Sequence, residues 1–204
     1  MERGRPRIFS EAQALDAALA VFWRNGYQGA SLSEITNAMG ISKPSLYAAF
    51  GNKEQLYLLA LERYRQQHLT KHAEALASEP DLTKAMRAFL RSVATMLTAP
   101  ELPGGCMVVN SAVACNTPAL PRRIVNAIGK TVDQSSFSLI KQKLQEDLQN
   151  RKMPKNTSIE QLSDYFATLM SGMAIMAKVG VKDDRLFNII EQALKVLPKS
   201  DHVA

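Results

Sequence analysis

The sequence predicts an all-α protein of about nine helices in two units, a three-helix unit within residues 1–51 and a larger helical unit over 52–204. Two observations predict it. Between clusters of Pro and Gly the chain runs in long stretches of Ala, Leu, Met, Gln, Glu and Lys, the residues that lose least on entering a helix. Apolar residues recur along those stretches at intervals of three and four, and no convincing strand run appears. A chain of 204 residues with 46% apolar and 22% charged residues has the composition of one that buries a core.

The elements follow in order. Ser10 to Asn25 forms the first helix, with Ser10 as cap, Leu15, Leu19 and Phe22 at helical spacing, and Gly26 as a left-handed end. Leu32 to Met39 forms the second. Ser31 and Glu34 make an S-x-x-E capping box there, Leu32, Ile35 and Met39 line one face, and Gly40 stops it. Lys43 to Phe50 forms the third, capped by Ser42, with Pro44 in the first turn where its missing N–H costs little. Leu46 and Phe50 share its inner face. A fourth helix runs from Asn52 or Lys53 to Ala77, its apolar surface made by Leu56, Leu59, Leu61, Tyr64 and Leu69. Asp81 caps a fifth, with Leu82, Ala85, Met86, Phe89, Leu90, Val93 and Leu97 inward. A short sixth covers Cys106 to Cys115, a seventh about 120–150, an eighth from a Ser158/Gln161 box to Gly180, and a ninth Asp183 to Leu197.

The second and third helices are short and joined through a Gly-containing turn. Such a turn sets them at a steep angle, the helix-turn-helix arrangement, in which the second helix can enter a DNA major groove. The outer face of the third helix carries Lys43, Ser45, Tyr47 and Ala48, none of which a core needs. Lys can donate to guanine, Ser to either base type, and Ala can touch a thymine methyl. Tyr47 can donate to phosphate. Ser31 and Ser42 stand at helix N-termini, where backbone N–H groups attract phosphate, and Lys53 adds a cation at the start of the fourth helix. Singly, each is a solvated helix residue; together on one face they point to double-stranded DNA. Pro6 keeps the arm Gly4-Arg5-Pro6-Arg7 extended, so that Arg5 and Arg7 can follow a narrow minor groove. A disordered basic tail accounts for that arm equally well. The net charge of +6 is compatible with a polyanionic partner but does not single out one unit.

The segment from Ile8 to Leu59 closely resembles the tetracycline-repressor (TetR) family signature. The matching residues are Ala18 and Phe22 of an A-x-x-x-F pattern, N-G-Y-x-G-A-S-L-S-E-I at 25–35 and A-M-G-I-S-K-P-S-L-Y-A-A-F-G-N-K-E-Q-L-Y at 38–57. The resemblance implies a DNA-binding unit of three helices, a fourth helix linking it to a ligand-binding unit, and a homodimer formed by the last two helices. It implies a repressor that a small-molecule inducer releases from a palindromic operator by moving the fourth helix and so respacing the two recognition helices. Two copies of one short helix related by a two-fold axis read a palindrome, which one copy alone does not. For the dimer the eighth helix offers Leu169, Gly172, Met173 and Met176, and the ninth Leu186, Ile189, Ile190, Ala193 and Leu197; an intramolecular core would use the same residues.

An apolar ligand pocket is expected among the fifth to eighth helices, with Phe89, Met96, Cys106, Met107, Asn110, Phe137, Phe166, Met170 and Met173 as candidate lining. The stretch P-G-G-C-M-V-V-N-S-A-V-A-C-N at 103–116 also resembles family branches that sense electrophiles or oxidants. In the first turn of the sixth helix the dipole would lower the Cys106 thiol pKa, giving a thiol-based sensor as the alternative reading. Cys115 lies nine residues on, roughly on the opposite face and about 13 Å away along a continuous helix, too far for a disulfide. Two small buried hydrophobes are the plainer reading of the pair.

Other classes find little support. There is no nucleophile–base constellation, phosphate loop or metal-ligand spacing, so no catalytic residue, cofactor or metal is assigned and a helical-bundle enzyme is disfavoured. His68 and His72 are spaced i, i+4 but read as a solvated face, and the methionines as core filler or adaptable lining. A ligand-free architectural DNA binder would not need so large a second unit. Two cysteines make no disulfide framework, the N-terminus is no secretion signal, and no apolar run reaches about 18 residues, so a cytoplasmic protein without a membrane span is expected.

Overall fold

The computed structural model describes residues 10–113, 115, 120–133, 136–150 and 152–198, and every described element is helical. Ser10 accepts the Gln13 N–H and starts α1 (Glu11–Gly29). The regular part of α1 ends at Gly26, whose φ of 69° is positive as expected, but its ψ of 177° lies outside the left-handed helical region and a further turn follows to Gly29. Ser31 caps α2 (Leu32–Met39) through the Glu34 N–H, while the Glu34 carboxylate takes the Asn25 amide at 2.6 Å. The two short helices α2 and α3 (Lys43–Phe50) are separated at Gly40, which sits at φ 66°, ψ 27°, a left-handed conformation that costs a residue with a Cβ about 1–2 kcal/mol. A complete capping box, Asn52 with Gln55, starts α4 (Lys53–Ala77).

Asp81 caps α5 (Leu82–Thr98), and all seven of its predicted inward residues are buried. Cys106 lies one residue ahead of α6 (Met107–Val113), not inside its first turn, and Cys115 is in a turn beyond it. The helix predicted over 120–150 is described as α7 (Arg122–Asp133) and α8 (Ser136–Gln149). The last two predicted helices are α9 (Ile159–Lys178) and α10 (Asp183–Ala193), the latter ending in a 3₁₀ turn at Leu194–Val196.

The apolar side chains gather into two clusters. One joins α1, α2 and α3 to the first half of α4 and to α6 and α7, around Phe22, Trp23, Ile35, Leu46, Leu56, Tyr57, Met107 and Ile124. The other joins α5, α8, α9 and α10 with the end of α4, around Met86, Phe89, Leu144, Phe166, Met173 and Ile190. Met96 and Cys106 are partly buried against both clusters, so the seam between the two cores passes between α5 and the start of α6. Leu59 does not join α4's apolar surface; it is 44% exposed.

Gly105 ties the seam. Its N–H donates to Leu97 O at the end of α5 (2.9 Å), and its carbonyl accepts the Trp23 indole N–H from α1 (3.2 Å). Its φ is +67°, and a Cβ there would stand 2.9 Å from the Ala174 carbonyl oxygen of α9, so both backbone conformation and close approach require glycine.

Candidate DNA interface and ligand cavity

The outer face of α3 is built by burying its other face. Leu46 is fully buried and Phe50 nearly so, which turns Lys43, Tyr47 and Ala48 to solvent, with Tyr47 48% exposed and Ser45 half-buried beside them. Ser42 caps the helix by accepting the Ser45 N–H (3.3 Å), and the two hydroxyls bond each other at 2.8 Å. Ser31 and Ser42 are both exposed. Lys53 is half-buried, and its ammonium lies 4.7 Å from the centre of the Tyr27 ring, which steadies it at the start of α4; burial lowers its pKa. Arg5 and Arg7 lie outside the described residues.

Side-chain bonds between helices hold this face to the rest. Arg63 of α4 grips Asp16 of α1 with two N–H donors at 2.9 and 3.0 Å, and Gln67 adds a third at 2.7 Å. The Arg63 hydrogen bond, opposed by partial burial, holds the Asp16 carboxyl below its usual range. Tyr57 meets Ser111 of α6 at 2.6 Å, and because Ser111 gives its own proton to Met107 O (2.7 Å), Tyr57 is the donor. Burial pushes the Tyr57 hydroxyl up to about 12, so it stays a donor at any working pH.

A cavity of about 60 Å³ lies at the seam between the cores. Of the nine predicted lining residues, Met96, Cys106, Phe137 and Met170 face it. Phe89, Met107, Phe166 and Met173 do not; each is at most 1% exposed, buried in the packed cores. Asn110 lines a separate, more polar recess beside Tyr27 and Lys178. The wall that sequence reasoning missed is on α4: Tyr64, Arg65, His68 and His72. The solvated-face reading of the histidines is therefore corrected. His72 is 3% exposed, and both rings continue the buried line of Tyr57, Ala60, Leu61 and Tyr64. Following that spacing past Tyr64 reveals it in the sequence.

The cavity wall is apolar with few polar groups. Tyr64 points its hydroxyl at Cys106 Sγ (3.3 Å), with Met96 Sδ at 4.0 Å, and its ring stacks edge-on against Trp23. Burial, then the adjacent Cys106, raises the Tyr64 pKa well above normal. The expected low thiol pKa at Cys106 is not found. Burial raises it, and the Tyr64 hydroxyl and the Val109 and Val108 backbone groups only partly offset this. Cys115 is raised by burial as well, and both cysteines are free. His72 takes one neighbour, Ser92 Oγ, at Nδ1 (2.9 Å), while its buried Nε2 has no partner. Burial, with smaller repulsion from His68 and Lys71, pushes the His72 pKa down to about 4.

The face predicted for dimerisation divides. Met173, Leu186, Ile190, Ala193 and Leu197 belong to the intramolecular core. What α9 leaves open is Tyr165, Ile175 and Val179, with Gly172 between them having nothing within 4 Å of an added Cβ. Among the described residues no helix is long and apolar enough to cross a membrane, and no three His, Cys, Asp or Glu side chains are grouped to hold a metal.

Comparison with known proteins fits this architecture. Residues 14–60 match the family model described as bacterial regulatory proteins, tetR family. The HTH-type transcriptional repressor ComR of Escherichia coli (strain K12) is 29% identical, over 97% of this chain and 93% of that one. The HTH-type transcriptional repressor BdcR of the same strain is 27% identical, over 90% and 86%. A cysteine-substituted form of the TetR family regulator CifR, solved with a 26-bp double-strand operator DNA, is 35% identical with a TM-score of 0.88, covering 96% of this chain and 100% of that one. With that identity over the full length, and the exposed α3 face and seam cavity in place, the chain belongs to the TetR family of transcriptional regulators.

Proposed function

We propose that this chain is a repressor that binds a palindromic operator as a homodimer and is released when a small molecule occupies the cavity between its two cores. Residues 1–51 are the DNA-binding unit and 52–204 the regulatory and dimerisation unit. The observation that carries the reading is the outer face of α3, where Lys43, Tyr47 and Ala48 are exposed over a fully buried Leu46. Lys43, Ser45 and Ala48 contact base edges, Tyr47, Ser31, Ser42 and Lys53 contact phosphates, and Arg5 and Arg7 follow the minor groove. The open stripe Tyr165, Gly172, Ile175 and Val179 on α9 meets its symmetry mate, with α10 beside it. In support, CifR has been solved on operator DNA, and ComR and BdcR are named as repressors.

The test is fluorescence anisotropy on the DNA upstream of the protein's own gene, with sedimentation to count copies. Wild type binds as a dimer, with an affinity that falls steeply with salt. Lys43→Ala with Tyr47→Ala weakens binding at least about tenfold while leaving the thermal midpoint unchanged. Unchanged affinity in that double variant, or a monomer in solution, overturns the reading. The thiol-based alternative at Cys106 is not favoured, because a thiol whose pKa is raised by burial is a poor nucleophile at neutral pH. Full release of DNA by an electrophile in wild type but not in Cys106→Ser would restore it.

A further inference from the structure

We infer that His72 Nε2 is the anchor of the seam cavity, and that the ligand taken there is a small, uncharged, mainly apolar molecule carrying one hydroxyl group. This deepens the proposed function and rests on it for the statement that the cavity is regulatory.

The argument starts from an unpaired atom. His72 is 3% exposed and lines the cavity, its Nδ1 bonded to Ser92 Oγ and its Nε2 without a partner. A buried polar atom left without a hydrogen bond costs about 1–3 kcal/mol, so a group that bonds it has a standing advantage in this cavity. The partner's chemistry follows from the imidazole. Whether Ser92 donates to Nδ1 or accepts from it decides if Nε2 carries the proton, and a hydroxyl serves either tautomer because it both donates and accepts. A ketone or ether would serve only one.

Charge narrows the class further. The one formally charged wall residue is Arg65, and its guanidinium is held by Glu62 at 2.9 and 2.8 Å. Burial lowers the pKa of both His68 and His72, so neither ring is a cation at neutral pH. A carboxylate or ammonium entering this wall would lose its water without an unpaired opposite charge among the described lining residues, which is costly. The Thr131 hydroxyl on the wall already donates to Ala127 O (2.8 Å), and Val93, Leu97, Val108, Val109, Met170 and Ala174 are apolar.

Size sets the upper limit. About 60 Å³ is less than a single aromatic ring needs, since an engineered apolar cavity of about 150 Å³ takes benzene. Met96 and Met170 are the walls that can yield, being unbranched with three rotatable bonds. A single ring with one hydroxyl is thus the largest guest, and it enters only when those side chains turn aside.

The experiment uses the full-length protein with phenol and toluene as probes, matched in shape and differing in the hydroxyl. Calorimetry at pH 7.5 is expected to show phenol bound about five- to tenfold more tightly than toluene, the worth of one hydrogen bond to a buried group. His72→Leu is expected to remove that preference while still binding toluene. Because His72→Leu could unfold, a second measurement needs no variant: phenol, but not toluene, moves the His72 Nε2 resonance in a ¹⁵N-histidine spectrum. Equal affinity of wild type for the two probes, a preference that survives in folded His72→Leu, or an Nε2 resonance indifferent to phenol overturns the inference. Promoter binding without any probe is measured alongside. A protein that binds its promoter but does not discriminate the probes refutes the anchor alone, whereas one that never binds DNA refutes the proposed function.

Discussion

Three buried polar rings of this protein, two in the core that carries α3 and one at the seam, are treated differently. In the core that carries α3, Trp23 and Tyr57 are buried with their polar atoms paired, the indole to Gly105 O and the phenol to Ser111. At the seam the walls part around a cavity of about 60 Å³, and the imidazole of His72 is buried with one nitrogen unpaired. A core packed to crystal-like density passes movement on as a rigid body, and one with a hole and an unpaired group can accept a guest. Trp23 and Tyr57 thus tie helices together through paired polar atoms, whereas His72 leaves one nitrogen unpaired at the cavity.

The contrast can be broken by mutation and by pH. The largest expected effect is on the sealed side: Phe22→Ala, at a residue 1% exposed, lowers unfolding free energy by about 3–5 kcal/mol in urea titration. Acid comes next and acts on the hollow side. His72 has a folded pKa near 4 against 6.5 unfolded, so its stabilising contribution is complete above pH 6.5 and is lost progressively as the pH falls towards 4, about 3 kcal/mol in all. The difference in stability between wild type and His72→Leu should shift over that window, and a constant difference would refute the assignment. An added methyl sharpens the comparison. Val21→Ile on the sealed side overpacks and costs about 1–3 kcal/mol, whereas Val93→Ile fills cavity space and stabilises by about 0.5–1 kcal/mol. If both variants move the thermal midpoint in the same direction, the two cores are not different in kind. The smallest effect is Asp16→Asn, which frees Arg63 at a partly exposed site and costs about 0.5–1 kcal/mol.

The α3 face was legible in the sequence because it rests on local signals. Ser31, Gly40 and Ser42 mark the ends of two short helices, and Leu46 and Phe50 fix which side of α3 turns inward. The cavity was legible only in part. Its wall draws on α4, α5, α6, α7, α8 and α9, and which side of each long helix faces the hole depends on how helices distant in sequence pack, not on the helix itself. Phe166 and Met170, four residues apart on one face of α9, both join the packed core, yet only Met170 lies level with the cavity. The histidines were misread for the opposite reason: α4 is charged at Glu62, Arg63 and Arg65, and that charge masked a buried line continuing through His68 to His72. Of the residues offered for a dimer, Met173, Leu186, Ile190, Ala193 and Leu197 are used inside the protomer, the alternative their apolar spacing left open.

Gly105 has one further consequence. The peptide whose carbonyl receives the Trp23 indole joins Gly105 directly to Cys106, whose side chain is part of the cavity wall. Any displacement of the Cys106 backbone is therefore carried through one amide plane to the carbonyl that holds the Trp23 indole of α1.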